Sequence, residues 1–201
     1  MTEGLLEFQE EIVDDESEKI CLIKARQVGG TTGFMKKAVR EASQGARILV
    51  VSPTLDISQR ALDQVPKDKD YVFEKDKRHL LVGDGVIIAL TRDHIVEYLK
   101  SDEEEHEIDI LFVDNAGEMP RQKLQGIFNP DLYDGRLWVC GTPLGDGPPE
   151  LRRFFVQEDV SSYQVSADDV SHLDQEYLDR IADEFQEVHA ENCLEGEFVD
   201  E

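Results

Sequence analysis

Two rhythms of apolar residues run along this chain. Four stretches are apolar almost without a break: ICLIK (20–24), ARILVVSP (46–53), IDILFVD (108–114) and RLWVCG (136–141). Runs of this kind are typical of strands buried on both faces, as in a parallel sheet. Elsewhere the period lengthens to three and four residues. Leu5, Phe8 and Ile12 share one face of a short helix over 5–14, and Phe34, Ala38 and Ala42 recur at helical spacing over 31–43. Further helices are expected at 55–64, at 93–100, after Pro120, at 149–157 and at 173–192, and a short strand near SSYQVS. YVFEK, HLLVG and GVIIAL make 70–90 a β-rich excursion, and SDEEEHE (101–107) reads as a solvated acidic loop. Strands alternating with helices predict an α/β domain around a mostly parallel sheet.

Composition narrows the setting. A chain of 201 residues holds one such domain with a real core, so residues 1–201 read as a single unit. No apolar run approaches the ~20 residues that span a bilayer. The N-terminal MTEGLLEFQEE lacks the basic start of a signal peptide, so a cytoplasmic location and no membrane partner are expected. Cys21, Cys140 and Cys193 are odd in number and far apart, which reads as reduced core thiols. The five histidines show no ligand spacing. The charge stands out: 45 acidic residues against 21 basic give a formal net of -24. Acids spread over the whole chain suggest a protein adapted to molar salt, where screening shortens to about 3 Å. An acidic surface for a basic partner is the alternative.

One stretch carries chemistry. ICLIKARQVGGTTGF (20–34) runs from strand through glycine turn to helix, the layout of a phosphate-binding loop. Such a loop brings backbone N–H groups and a helix dipole to bear on phosphate, with a hydroxyl for Mg²⁺ and a lysine for the β and γ phosphates. The spacing G-x-x-x-x-G-K-[ST] finds its second glycine in Gly29 and its hydroxyl in Thr31. The lysine slot, however, is Gly30, and the first glycine slot is Lys24. A lysine at the mouth of the loop is long enough to fold back onto the phosphates. The residues alone also allow a plain strand-to-helix turn with two glycines.

KARQVGGTT resembles the phosphate loop of viral terminase large subunits, the ATPases that pump DNA into capsids, and in particular the lambda-like ones with a lysine displaced to the loop's start. The resemblance implies an ASCE-type P-loop NTPase domain with three layers. It implies ATP held by Lys24, Gln27, Gly29, Gly30, Thr31 and Thr32, and Mg²⁺ held by Thr31 and Asp114. LLEFQEEI (5–12) resembles the family's adenine-recognition motif, with Gln9 reading the base edge. ILVVSPTLDISQRAL (48–62) resembles the strand, turn and helix after the loop helix, and implies a structural role only. IDILFVDNAGEMP resembles the Walker B segment that ends in Asp114. The family has glutamate next, and this chain has Asn115, an amide that orients water but accepts no proton. Glu118 could take that place if the segment coils. Thr142 of LWVCGTPLGDG falls at the coupling motif, and Arg26 at a γ-phosphate-sensing arginine. Arg152 and Arg153 read as a helix-surface pair, with a trans-acting finger or a DNA contact as the alternative.

ENCLEGEFVDE (191–201) resembles the segment that closes the ATPase half, so no nuclease domain is expected in this chain. The partners implied are double-stranded DNA, a portal protein, a terminase small subunit, further copies of this chain in a ring, and a separate nuclease chain. A degenerate terminase-like protein that binds nucleotide without turnover is the alternative, favoured by Gly30 and Asn115. A helicase-like ATPase shares the early motifs but not the GTP and GEF segments.

Overall fold

The structure, a computed structural model, describes residues 4–65, 71–74, 78–100, 107–131, 133, 135–143, 148–184 and 193–198. Most of the acidic loop at 101–107, the middle of GTPLGDGPPE and the far end of the helix expected at 173–192 lie outside them. One sheet of eight strands runs through the molecule in the order β3-β4-β5-β2-β6-β7-β1-β8. The strands are β1 (Lys19–Lys24), β2 (Arg47–Ser52), β3 (Tyr71–Glu74), β4 (His79–Val82), β5 (Gly85–Thr91), β6 (Ile110–Asp114), β7 (Arg136–Gly141) and β8 (Ser161–Val165). Six pair in parallel, from β5 to β8, and the β-rich excursion adds β3 and β4 antiparallel at one edge.

The all-apolar strands have a physical cause in the two faces they must fill. Ile20, Leu22, Ile48, Val50, Ile110, Phe112, Trp138 and Cys140 enter one core. The alternate residues, among them Cys21, Ile23, Leu49, Val51, Leu111, Val113 and Val139, enter a second core on the other face. Helices α1 (Glu7–Asp14), α2 (Gly30–Ser43) and α3 (Leu55–Asp63) cover the first face. Helices α4 (Ile95–Leu99), α5 (Arg121–Ile127) and α6 (Pro149–Phe155) cover the second. The result is three layers. Phe34 of α2 stacks on Phe112 with ring centroids 4.8 Å apart, which seats α2 over β6. Helix α7 (Gln175–Glu184) follows β8, and its Leu178 packs on the first core. Among the described residues no helix is long and apolar enough to cross a membrane.

This order places a switch point at β1. The chain leaves β1 through α2 toward β2 on one side, while β7 connects through α6 to β8 on the other. Open α/β sheets bind ligands at the carboxyl ends of the strands at such a point. The loop from Ala25 to Gly29 lies there.

Candidate functional site

Lys24, Asp114 and Thr142 stand at the ends of β1, β6 and β7, each in step with residues that enter the first core. Alternation therefore turns all three toward the start of α2. A cavity of about 470 Å³ opens at that point, a size ordinary for a small-molecule site. Lys24, Gly29, Thr31, Asp114, Asn115 and Thr142 line it, as do Arg26, Gln27, Gly30, Thr32 and Glu118.

The loop reaches its shape through two left-handed residues, Gln27 at φ 60° and Gly29 at φ 92°. Glycine tolerates that conformation without strain. A Cβ on Gly29 would also lie 2.5 Å from Gln9 Nε2. The loop is tied down from behind. Ala25 N–H donates to Val165 O at 2.8 Å, Arg26 N–H to Cys193 O at 2.8 Å, and His172 Nε2 meets Gln27 O at 2.9 Å. Gly196 of the GEF segment sits so close that a Cβ there would come within 2.7 Å of the Lys24–Ala25 backbone. Arg26 reaches the cavity and also hydrogen-bonds the Cys193 side chain.

Position 30 is closely packed. A Cβ on Gly30 would lie 2.6 Å from Lys24 Cδ, 2.7 Å from Leu22 Cδ2 and 3.0 Å from Cys140 Sγ. The stem of Lys24 fills the space over Gly30, so glycine at 30 and lysine at 24 are one arrangement. Lys24 is buried, with its Nζ 3.4 Å from both Thr142 Oγ1 and Ala25 O.

Thr31 Oγ1 donates to Asp114 Oδ1 at 2.9 Å, and Asn115 Nδ2 to Oδ2 at 3.3 Å. Burial pushes the Asp114 carboxyl above its ordinary range, and Lys24, the Thr31 hydroxyl and the Asn115 N–H pull it part of the way back. Burial likewise pushes the Cys140 thiol up to about 12, which makes it an inert neighbour. The rung beyond Val51 and Val113 sets Ser52 beside Asp114, and its buried hydroxyl has no partner among the described residues. Asn115 itself is left-handed at φ 53°, a conformation asparagine accepts more readily than most residues. It starts a 3-10 turn over Ala116–Glu118 that brings Glu118, exposed, to the cavity. Gly117 of this turn backs onto the Thr142 carbonyl, where a Cβ has no room.

Oxygen donors suit a hard cation. Mg²⁺ usually takes one or two carboxylates and substrate phosphates; Asp114 offers one such carboxylate, with the Thr31 hydroxyl beside it. Among the described residues no group of three or more His, Cys, Asp or Glu forms a separate metal cluster.

Two placements differ from the sequence reading. Gln9 does not line the cavity. It is buried, its Oε1 accepting from Leu6 N–H at 2.9 Å and its Nε2 donating to Gly29 O at 2.8 Å. Helix α3, read as structural only, does line the cavity with Ile57, Arg60 and Ala61, and its C-cap Gln64 joins them. Its signal was present in the sequence. These positions form an i, i+3, i+4, i+7 stripe in which Arg60 and Gln64 are polar, where a purely structural helix would carry apolar residues. Arg152 stays away from the cavity and packs its guanidinium 5.9 Å from the Phe198 ring.

No protein-family model and no curated protein sequence matches the chain. Solved structures do. The Thermus phage P74-26 large terminase ATPase domain superposes with a TM-score of 0.74 at 15% identity, over 95% of this chain and 92% of that one. The chain shares its fold with phage large terminase ATPase domains. A large terminase from a thermophilic bacteriophage, solved in complex with ATP-gamma-S, gives a TM-score of 0.71 at 13% identity. That match covers 98% of this chain and 53% of the phage chain, so this chain spans about half its length. The Phi-28 gp11 DNA packaging motor matches at 0.52 and 9% identity, over 98% and 69% of the two chains.

Proposed function

We propose that this chain is a terminase-like ATPase that hydrolyses Mg²⁺-ATP to move double-stranded DNA. One observation carries the reading. The stem of Lys24 fills the space that a lysine at position 30 would need, and its ammonium lies by Thr142 over the start of α2. The phosphate chain is held by Lys24 and by the N–H groups of Gly29 to Thr32. Gln27 shapes the loop, and Arg26 faces the outer phosphate. Thr31 and Asp114 would hold Mg²⁺, which would neutralise charge on the phosphates.

A water aligned by Asn115 attacks the γ phosphorus, and the bond to the β-phosphate oxygen breaks. Asn115 cannot take the proton of that water, so Glu118 takes it. Thr142 touches both Lys24 and, through its carbonyl, the Gly117 turn. Loss of the γ-phosphate is therefore felt at the end of β7. The fold shared with the packaging ATPases supports DNA, a portal, a small subunit and copies of this chain as partners. The acid excess supports a host cytoplasm of high salt. A second reading, nucleotide binding without turnover, is favoured by Asn115.

Steady-state hydrolysis in molar KCl with Mg²⁺ separates the two readings. Lys24→Ala should lose at least about tenfold, roughly 1.4 kcal/mol of transition-state stabilisation. Glu118→Gln should lose about a hundredfold with ATP binding kept, as for removal of a general base. A folded wild type that binds ATP and turns over no faster than Lys24→Ala makes the second reading the correct one.

A further inference from the structure

We infer that α3 is the nucleoside wall of this site: Gln64 and Arg60 hold the nucleoside-bearing end of the nucleotide, and Ile57 offers the base an apolar surface. The inference rests on the proposed nucleotide reading. It starts from a direction along α2. Thr31 turns toward Asp114, at 2.9 Å, which marks the metal and γ-phosphate side. Thr32 is the next residue, about 100° further round the helix, and it turns the other way. Its hydroxyl donates to Gln64 Oε1 at 2.9 Å. Gln64 therefore stands at the first turn of α2 on the side away from the acid. A phosphate chain that has its outer end at Asp114 and Thr142 and runs over the N–H groups of the loop leaves the helix on that side.

Three further observations agree. Gln64, having accepted from Thr32, keeps the two N–H groups of its amide to offer, and the acceptors on a nucleoside are ribose oxygens and ring nitrogens. Arg60 lies one helical turn before Gln64 and on the same face. It is exposed, it lines the cavity, and among the described residues it forms no ion pair. With Lys24 and Arg26 it is one of three cationic residues at this cavity in a chain of net charge -24. Finally, Gln9 turns its amide to Leu6 N–H and Gly29 O and does not line the cavity, whereas α3 does.

The test compares ATP with inorganic tripolyphosphate, which has the phosphate chain and no nucleoside. Calorimetric titration with Mg²⁺ is done on wild type, Arg60→Ala and Gln64→Ala. Both side chains are exposed, so the variants keep the fold, and matching thermal unfolding confirms it. Wild type should bind ATP more tightly than tripolyphosphate. Each variant should lose about fivefold in ATP affinity, in the range of one or two hydrogen bonds, and keep tripolyphosphate affinity. Unchanged ATP affinity, or equal losses for both ligands, overturns the inference and leaves the nucleotide reading standing. Wild type that binds neither ligand overturns both.

Discussion

Position 30 is where a single residue decides the loop. A methyl group there meets the Lys24 stem, Leu22 and Cys140 at once. Overpacking a filled core costs about 1–3 kcal/mol. Gly30→Ala should fall in that range by urea unfolding. In a Lys24→Ala background part of the cost should disappear, because one of the three contacts is gone, while Leu22 still resists. A double-mutant cycle reads this coupling directly. Strictly additive effects would mean that the lysine stem does not fill this space.

Asp114 makes a second prediction at the same scale. Its folded pKa is raised by burial. A carboxyl raised in the fold favours the native state when protonated. Its contribution is thus fully present below the unfolded value and is lost as pH rises through the folded one. Asp114→Asn removes that loss and keeps an acceptor for Thr31. Without nucleotide the variant should melt higher than wild type at pH 7, each kcal/mol being worth about 2–4 °C in a chain of this size. The difference should close as pH falls to the ordinary carboxylate range. A variant that melts lower at pH 7 would show that the ionised acid stabilises the fold.

At the scale of elements, α1 is a brace for the loop. Ile12 anchors it in the core, Lys37 of α2 donates to Val13 O at 3.1 Å and to Asp15 O, and Gln9 ties its first turn to Gly29. Gln9→Leu should leave the Leu6 N–H without its partner, at about 1–3 kcal/mol, and the Gly29 carbonyl with the Gly33 N–H at 3.3 Å in place of two donors. ATP and GTP affinity should then fall together, because the loop loosens and no base contact is lost. A change in the ratio of the two would return base reading to Gln9.

Much at this scale is legible in the sequence. RLWVCG reads as a strand over 136–141 and forms β7 over that span, and the helix expected after Pro120 forms α5. These elements are set by local periodicity, which a sequence carries in full. Two things are not legible. The place of β7 between β6 and β1 is set by crossovers that bring distant segments together. The second is the partner of a polar side chain: Gln9 and Gln64 look alike in sequence, yet one faces a carbonyl and the other a cavity.

Charge acts at the scale of the whole molecule. An excess of 24 acidic groups, 45 against 21, repels itself over the surface. At 0.1 M salt the screening length is about 10 Å, comparable with the spacing of surface charges, and at 1 M it is about 3 Å. Added salt also weakens exposed ion pairs such as Lys19–Asp159, but such pairs are worth at most about 1 kcal/mol each. Repulsion summed over the surface outweighs them. The melting temperature should therefore rise from 0.1 to 2 M KCl and rise as much in NaCl, since screening depends on ionic strength and not on the cation. The same balance bears on DNA, which a chain of this sign does not attract at long range. In the proposed reading the buried Lys24 would keep its hold on phosphate in molar salt, where exposed contacts fade. A melting temperature that falls with salt would show that the ion pairs, and not the excess acids, set the stability of this surface.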